Sequence, residues 1–131
     1  MEVFAAVLAS KPSLLRGFRH RLRTWLEVAG VSARGCDAIV LAVHEAAANG
    51  LQHAMIGEPV TVTGRIEDGS VLIEVGSEGR WGARGEERAS DERGRGLALM
   101  KNLMSTVEIL NDEKRTIVRL ILLPERAPSV S

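Results

Sequence analysis

Between Cys36 and Ala54 the residues Cys36, Ile39, Val40, Val43, Ala47, Leu51 and Ala54 form an apolar stripe. Their spacing is that of an α-helix with one buried face. Over the same stretch Glu45, Asn49 and His53 fall at intervals of four. Positions four apart stand nearly above one another at about 100° per residue, and this polar column lies roughly opposite the apolar stripe. The segment must therefore pack on a core while presenting a carboxylate, an amide and an imidazole in line. Such a set suits the holding of a metal-bound phosphate and the activation of a nucleophile. A solvated helix face also carries polar residues opposite an apolar stripe, so the rest of the chain decides between the two.

The 131 residues suffice for one domain with its own core, expected over 1–124 with a short polar tail over 125–131. Formal net charge is zero, which removes the global electrostatic case for nucleic acid or a membrane surface. The single cysteine, Cys36, lies on the apolar stripe and reads as a small core residue. No basic-then-apolar leader is visible over Met1 to Ser10, and no apolar run approaches the about 20 residues of a membrane span. The expected location is cytoplasmic.

Val3 to Ala9 reads as a strand. A helix is expected from Ser13 to about Ala29, with Leu14, Phe18, Leu22, Trp25, Leu26 and Ala29 on its buried face and Gly30 as its stop. Its remaining surface is basic: Arg16, Arg19, His20, Arg21 and Arg23. Ser32 is the expected N-cap of the second helix, which runs to about Ala54. Val60 to Ile66 and Val71 to Val75 flank the turn Glu67-Asp68-Gly69-Ser70 and predict a hairpin. Gly76 to Arg95 is rich in Gly, Arg and Glu and reads as a long loop. Leu97 to Met104 is expected to be helical, and Val107 to Leu110 and Thr116 to Leu123 to be strands. The order β-α-α-β-β-loop-α-β-β predicts an α+β two-layer sandwich: a mixed, mostly antiparallel sheet with helices on one face.

Gly94-Arg95-Gly96-Leu97 is expected to stand directly before the third helix. Glycines there admit close approach of a ligand, and a helix start favours an anion. The segment is neither a Walker loop nor a Rossmann fingerprint, because no Gly-Lys-Ser/Thr and no third glycine follows.

Taken together, these motifs resemble the anti-sigma factor serine/threonine kinases, small members of the histidine-kinase-like (GHKL) ATPase superfamily. Ser13 to Leu26 is similar to the family's opening helix. Leu41 to Ala54 (LAVHEAAANGLQHA) resembles its N-box, Gly79-Arg80-Trp81 its first glycine box, Arg93 to Met104 (RGRGLALMKNLM) its second, and Thr116-Ile117-Val118 its closing motif. The resemblance implies a histidine-kinase-like ATPase fold with ATP and Mg²⁺ as cofactors. It implies Asn49 as the Mg²⁺ ligand and Glu45 as the general base toward a serine or threonine hydroxyl. It places His53, Ser77, Gly79, Gly94, Arg95, Gly96, Leu97 and Thr116 with Asn49 around the nucleotide, and makes Gly82 to Arg93 a lid. Phosphoryl transfer asks mainly for charge neutralisation and an oriented nucleophile, which these residue types supply. The implied partners are an alternative sigma factor and an anti-sigma factor antagonist protein, and the implied assembly is a homodimer through the first strand and helix.

One position departs from the family. Ser77-Glu78-Gly79 stands where the family carries Asp-x-Gly, whose carboxylate accepts from the adenine amino group. Losing a charge-assisted bond costs roughly 1.5–3 kcal/mol. Two functions follow: an ATP-binding serine/threonine kinase that regulates transcription through partner binding and phosphorylation, or a degenerate module on the same fold that binds a protein partner without catalysis. The ATP-binding domain of a two-component histidine kinase is disfavoured, since neither His20 nor His44 sits where a phospho-acceptor would. A nucleic-acid binder is disfavoured by the zero net charge and the few aromatics.

Overall fold

The computed structural model describes residues 3–8, 12–53, 58–78, 91–112 and 114–124, with the backbone alone at 12, 53 and 91–95. The described elements are β1 (Val3–Leu8), a single 3₁₀ turn (Pro12–Leu14), α1 (Leu15–Val28), α2 (Ala33–His53), β2 (Val60–Glu67), β3 (Ser70–Glu78), α3 (Asp91–Leu103), β4 (Thr106–Asn111) and β5 (Arg115–Leu122). The five strands form one sheet in the order β1-β2-β3-β5-β4, and every pairing is antiparallel. This is the expected α+β two-layer sandwich, without a parallel pair.

Strand alternation sends one set of side chains to the helices. Phe4, Ala6 and Leu8 of β1, Val60 and Val62 of β2, Val71, Ile73 and Val75 of β3, and Val118 and Leu120 of β5 share one buried cluster with the helices. From α1 come Leu15, Phe18, Leu22 and Leu26; from α2, Cys36, Ile39, Ala42, Val43, Ala46 and Ala47; Met100 comes from α3. Trp25 lies over Gly64, where a side chain would meet its ring at 3.2 Å. Phe4 packs edge-on against Phe18, with ring centroids 6.0 Å apart. The opposite face of the sheet carries the ion pairs of Arg119 with Glu74 (2.9 Å) and Glu108 (3.5 Å). Among the described residues no helix is long and apolar enough to cross a membrane.

Local chemistry sets the boundaries. At the end of α1, Gly30 takes φ +90°. Its N–H donates to the Glu27 carbonyl, and the Val31 N–H donates to that of Leu26. This paired closure is the Schellman motif. Ser32 caps α2 as expected, its Oγ accepting from the Gly35 N–H at 3.0 Å. Asp68 and Gly69 both take positive φ, at 50° and 82°, which gives the hairpin turn whose twist matches its strands.

Three expectations need correction. Leu14 is exposed and Leu15 is buried instead, because the chain enters α1 through a tighter 3₁₀ turn that shifts the phase. Ala29 is exposed, because the helix has already closed there. The third helix starts at Asp91 rather than Leu97, so Gly94 and Gly96 lie within it.

Candidate functional site

Residues from α2, α3 and the paired ends of β3 and β5 converge. Glu45 and Asn49 stand one turn apart on α2, both half-buried. Gly96 and Met100 are buried at a spacing of four and turn one side of α3 toward the core, and Met104, just past its end, is buried in line with them. A Cβ placed on Gly96 would lie 3.4 Å from Glu45 Oε2 and 3.5 Å from Asn49 Nδ2. Only a glycine leaves that space between the helices open, which accounts for a residue that costs about 1 kcal/mol against alanine inside a helix. The role differs from the expected one. As an interior helical residue Gly96 has its own amide committed to the helix.

Asn49 Nδ2 is buried and has no hydrogen-bond partner among the described residues. A buried polar atom left unsatisfied costs about 1–3 kcal/mol, so this one calls for a physical explanation. Mg²⁺ and a phosphate oxygen fit this donor set: the Asn49 Oδ1 is a hard oxygen ligand, its Nδ2 a donor to phosphate, and Glu45 a carboxylate beside both.

The next residue on α2, Gly50, joins this cleft to the sheet. A Cβ there would be 3.2 Å from Val60 and 3.5 Å from the Ser77 Cβ. Ser77 is directly opposite Thr116 in the β3–β5 register. Both are buried, at 3% and 0% exposure. The Thr116 hydroxyl donates to Asn111 Oδ1 at 2.7 Å. The structure thus brings Glu45, Asn49, Gly96, Ser77 and Thr116 to one end of the sandwich. Leu97 is half-buried and packs against the core. His53, Gly94 and Arg95 belong to α2 and α3 by their backbone, with side chains outside the described residues. Gly79 and most of the expected lid, 82–90, also lie outside them.

Three residues escaped the sequence reading. Gly50 was legible as the partner of Asn49 in an Asn-Gly step inside a helix, where glycine is unfavourable. Asn111 had no signal beyond its place in a turn. His44 meets Arg19 of α1 at 3.0 Å from Nδ1. Arginine only donates, so Nδ1 accepts and the proton of the neutral ring sits on Nε2. Burial first, then the Arg19 charge, lowers the His44 pKa, and Glu45 opposes them.

A cavity of about 290 Å³ lies at the other end of the sheet, lined by Val31, Ile66, Val71 and Leu122 among others. Its mostly apolar walls do not suit a phosphate, and it takes no part in this site.

The fold is an α+β sandwich in which a helical column on α2 faces a glycine of α3 above an antiparallel sheet. The sequence match agrees: residues 8–122 match the histidine kinase-like ATPase domain, and the chain belongs to that family. Two of the solved structures that share the fold illustrate it. One contains the RsbU and RsbW domains of Rv1364c from Mycobacterium tuberculosis (TM-score 0.78, 23% identity, 97% of this chain and 34% of that one). The other is the Acinetobacter baumannii histidine kinase AdeS (TM-score 0.56, 10% identity, 96% of this chain and 70% of that one). The chain therefore spans about a third of the length of the Mycobacterium tuberculosis protein it matches. No curated protein matches this sequence.

Proposed function

We propose that this domain binds Mg-ATP in the cleft between α2 and α3 and transfers the terminal phosphoryl group to a serine or threonine hydroxyl of a protein partner. The observation that carries the reading is the meeting over Gly96 of Glu45 Oε2 and the buried Asn49 Nδ2, which has no partner among the described residues. Bound ATP with Mg²⁺ supplies the phosphoryl group and the neutralisation of its charge. Asn49 would hold the metal through Oδ1 and a phosphate through Nδ2. Glu45 would orient the incoming hydroxyl and take its proton, leaving the alkoxide oxygen in line with the phosphorus.

The sequence resemblance to anti-sigma factor kinases supports a regulatory setting. In it the domain sequesters an alternative sigma factor and phosphorylates an antagonist protein in the cytoplasm, as a homodimer. The second reading, a partner-binding module without catalysis, is favoured by one observation: the buried residue beneath Gly50 is Ser77, and among the described residues no carboxylate is buried.

Calorimetric titration with Mg-ATP, repeated with a chelator, tests the first reading. Binding that needs the metal and is lost in Asn49→Ala is the expected result. Absence of nucleotide binding overturns the reading and leaves the module. Glu45→Gln is expected to bind Mg-ATP while losing transfer to the antagonist; transfer at the unmodified rate overturns the base assignment.

A further inference from the structure

The helix α1 carries Arg16, Arg19, His20, Arg21 and Arg23 against a single acid, Glu27. Arg16, Arg19, His20 and Arg23 recur at intervals of three and four, so they share one side of the helix. That side adjoins α2: Arg23 reaches Asp37 at 2.7 Å and Arg19 reaches His44 Nδ1 at 3.0 Å. Charge is not balanced along it. Arg23 meets both nearby acids, Asp37 and Glu27. Arg16 and His20 are exposed and have no acidic partner among the described residues, and Arg19 meets the ring of His44. A guanidinium has five N–H donors, and one bond to an imidazole leaves most of those of Arg19 for another group.

The end left unbalanced is the one nearer Glu45. Arg23 meets Asp37 and Arg19 meets His44, so the two helices run antiparallel. By the same progression Arg16 falls beside the turn of α2 that carries Ala48 and Asn49. On α2 itself Leu41 and Ala48 are seven apart and lie on one line, with His44 to one side and Glu45 to the other. Leu41 is exposed and Ala48 half-buried. The basic rim of α1 and the Glu45 carboxylate therefore flank one narrow apolar ridge. Helix dimensions put them roughly 10 Å apart, the reach of about three extended residues.

We propose that this ridge docks an acidic, extended segment of the partner protein, with carboxylates about three residues from the acceptor serine or threonine held by Arg16 and Arg19. The proposal rests on the reading of Glu45 as the group that meets that hydroxyl, and names the class of protein segment it acts on. Carboxylates spaced along a peptide match the cations on one side of the ridge and leave the hydroxyl and apolar contacts for the rest. A nucleic acid carries a charge at every residue and would lay phosphates against Glu45. The formal net charge of zero supplies no general attraction for polyanions.

The test is fluorescence polarisation with a labelled peptide that has one central serine flanked by glutamates, beside the same peptide with glutamines, both without nucleotide. Tighter binding of the glutamate peptide by about tenfold, weakening as salt rises, is expected. Arg16→Gln, at an exposed position, and Arg19→Gln, whose amide still donates to His44, are each expected to weaken it by about two- to fivefold. Arg65→Gln removes the same charge from an exposed position of β2 on the far face of the sheet and is expected to leave the affinity unchanged. Equal binding of the two peptides, or equal losses in Arg16→Gln and Arg65→Gln, would overturn the proposal. So would displacement of the peptide by a single-stranded oligonucleotide or by phosphatidylglycerol vesicles at a lower concentration of charge than the peptide itself supplies. Glutamate-peptide binding by a chain that takes no Mg-ATP would overturn phosphoryl transfer and leave the docking face standing. Metal-dependent ATP binding with no preference between the peptides would overturn the docking face alone.

Discussion

Replacing Gly96 by alanine separates stability from function in a single change. Gly96 is buried within α3, and glycine inside a helix is less favourable than alanine by about 0.8–1.0 kcal/mol. The new methyl would meet Glu45 Oε2 at 3.4 Å and Asn49 Nδ2 at 3.5 Å. Those separations are ordinary contacts, so no overpacking cost offsets the gain. The variant should be more stable by about 1 kcal/mol, and for a chain of this size its Tm should rise by about 3–5 °C. The same methyl fills the space where the two side chains meet α3. Mg-ATP affinity should therefore fall by at least about tenfold, equivalent to 1.4 kcal/mol. Differential scanning calorimetry and a binding titration read the two effects separately. A melt below that of the unmodified chain would show the α2–α3 approach to be tighter than described. Unchanged affinity would show that this opening is not where the phosphates lie.

Asn49→Ala should abolish metal-dependent nucleotide binding, yet leave the free chain within about 1 kcal/mol of its original stability, because it deletes a buried amide nitrogen that has no partner among the described residues; urea unfolding without ligand checks this. His44 has a lowered folded pKa, from burial first and Arg19 next, so the unfolded chain binds its proton more readily. Its contribution is fully present above the unfolded value of about 6.5 and is lost as pH falls toward the folded one. His44→Gln, which still offers an acceptor to Arg19, should flatten that part of the stability–pH curve, as read by urea midpoints across the acid range. Leu22→Ala removes a side chain with 0% exposure and should cost about 2–5 kcal/mol in chemical denaturation, whereas Leu14→Ala, at 42% exposure, should cost less than about 1 kcal/mol.

Much of the architecture was legible because it rests on periodicity and local caps. The α2 stripe, the Ser32 cap, the Gly30 stop and the Asp68-Gly69 turn each follow from backbone chemistry within a few residues. The order of elements then left few ways to cover an antiparallel sheet. The column of Glu45 and Asn49 followed from the same arithmetic of 3.6 residues per turn.

What the sequence could not contain was the partner across space. That Gly96 faces Glu45 and Asn49, that Gly50 rests on Ser77, and that Asn111 orients Thr116 are consequences of packing elements far apart in the chain. The start of α3 was misplaced for a related reason. Two glycines and several charged residues argue locally for a loop, but Met100 buries on the core and gives the helix a tertiary anchor that local propensity does not register. Local sequence therefore determined the elements and the chemistry they carry. Long-range burial decided which of those residues meet, because only the packed core brings α2, α3 and the β3–β5 pair to one end.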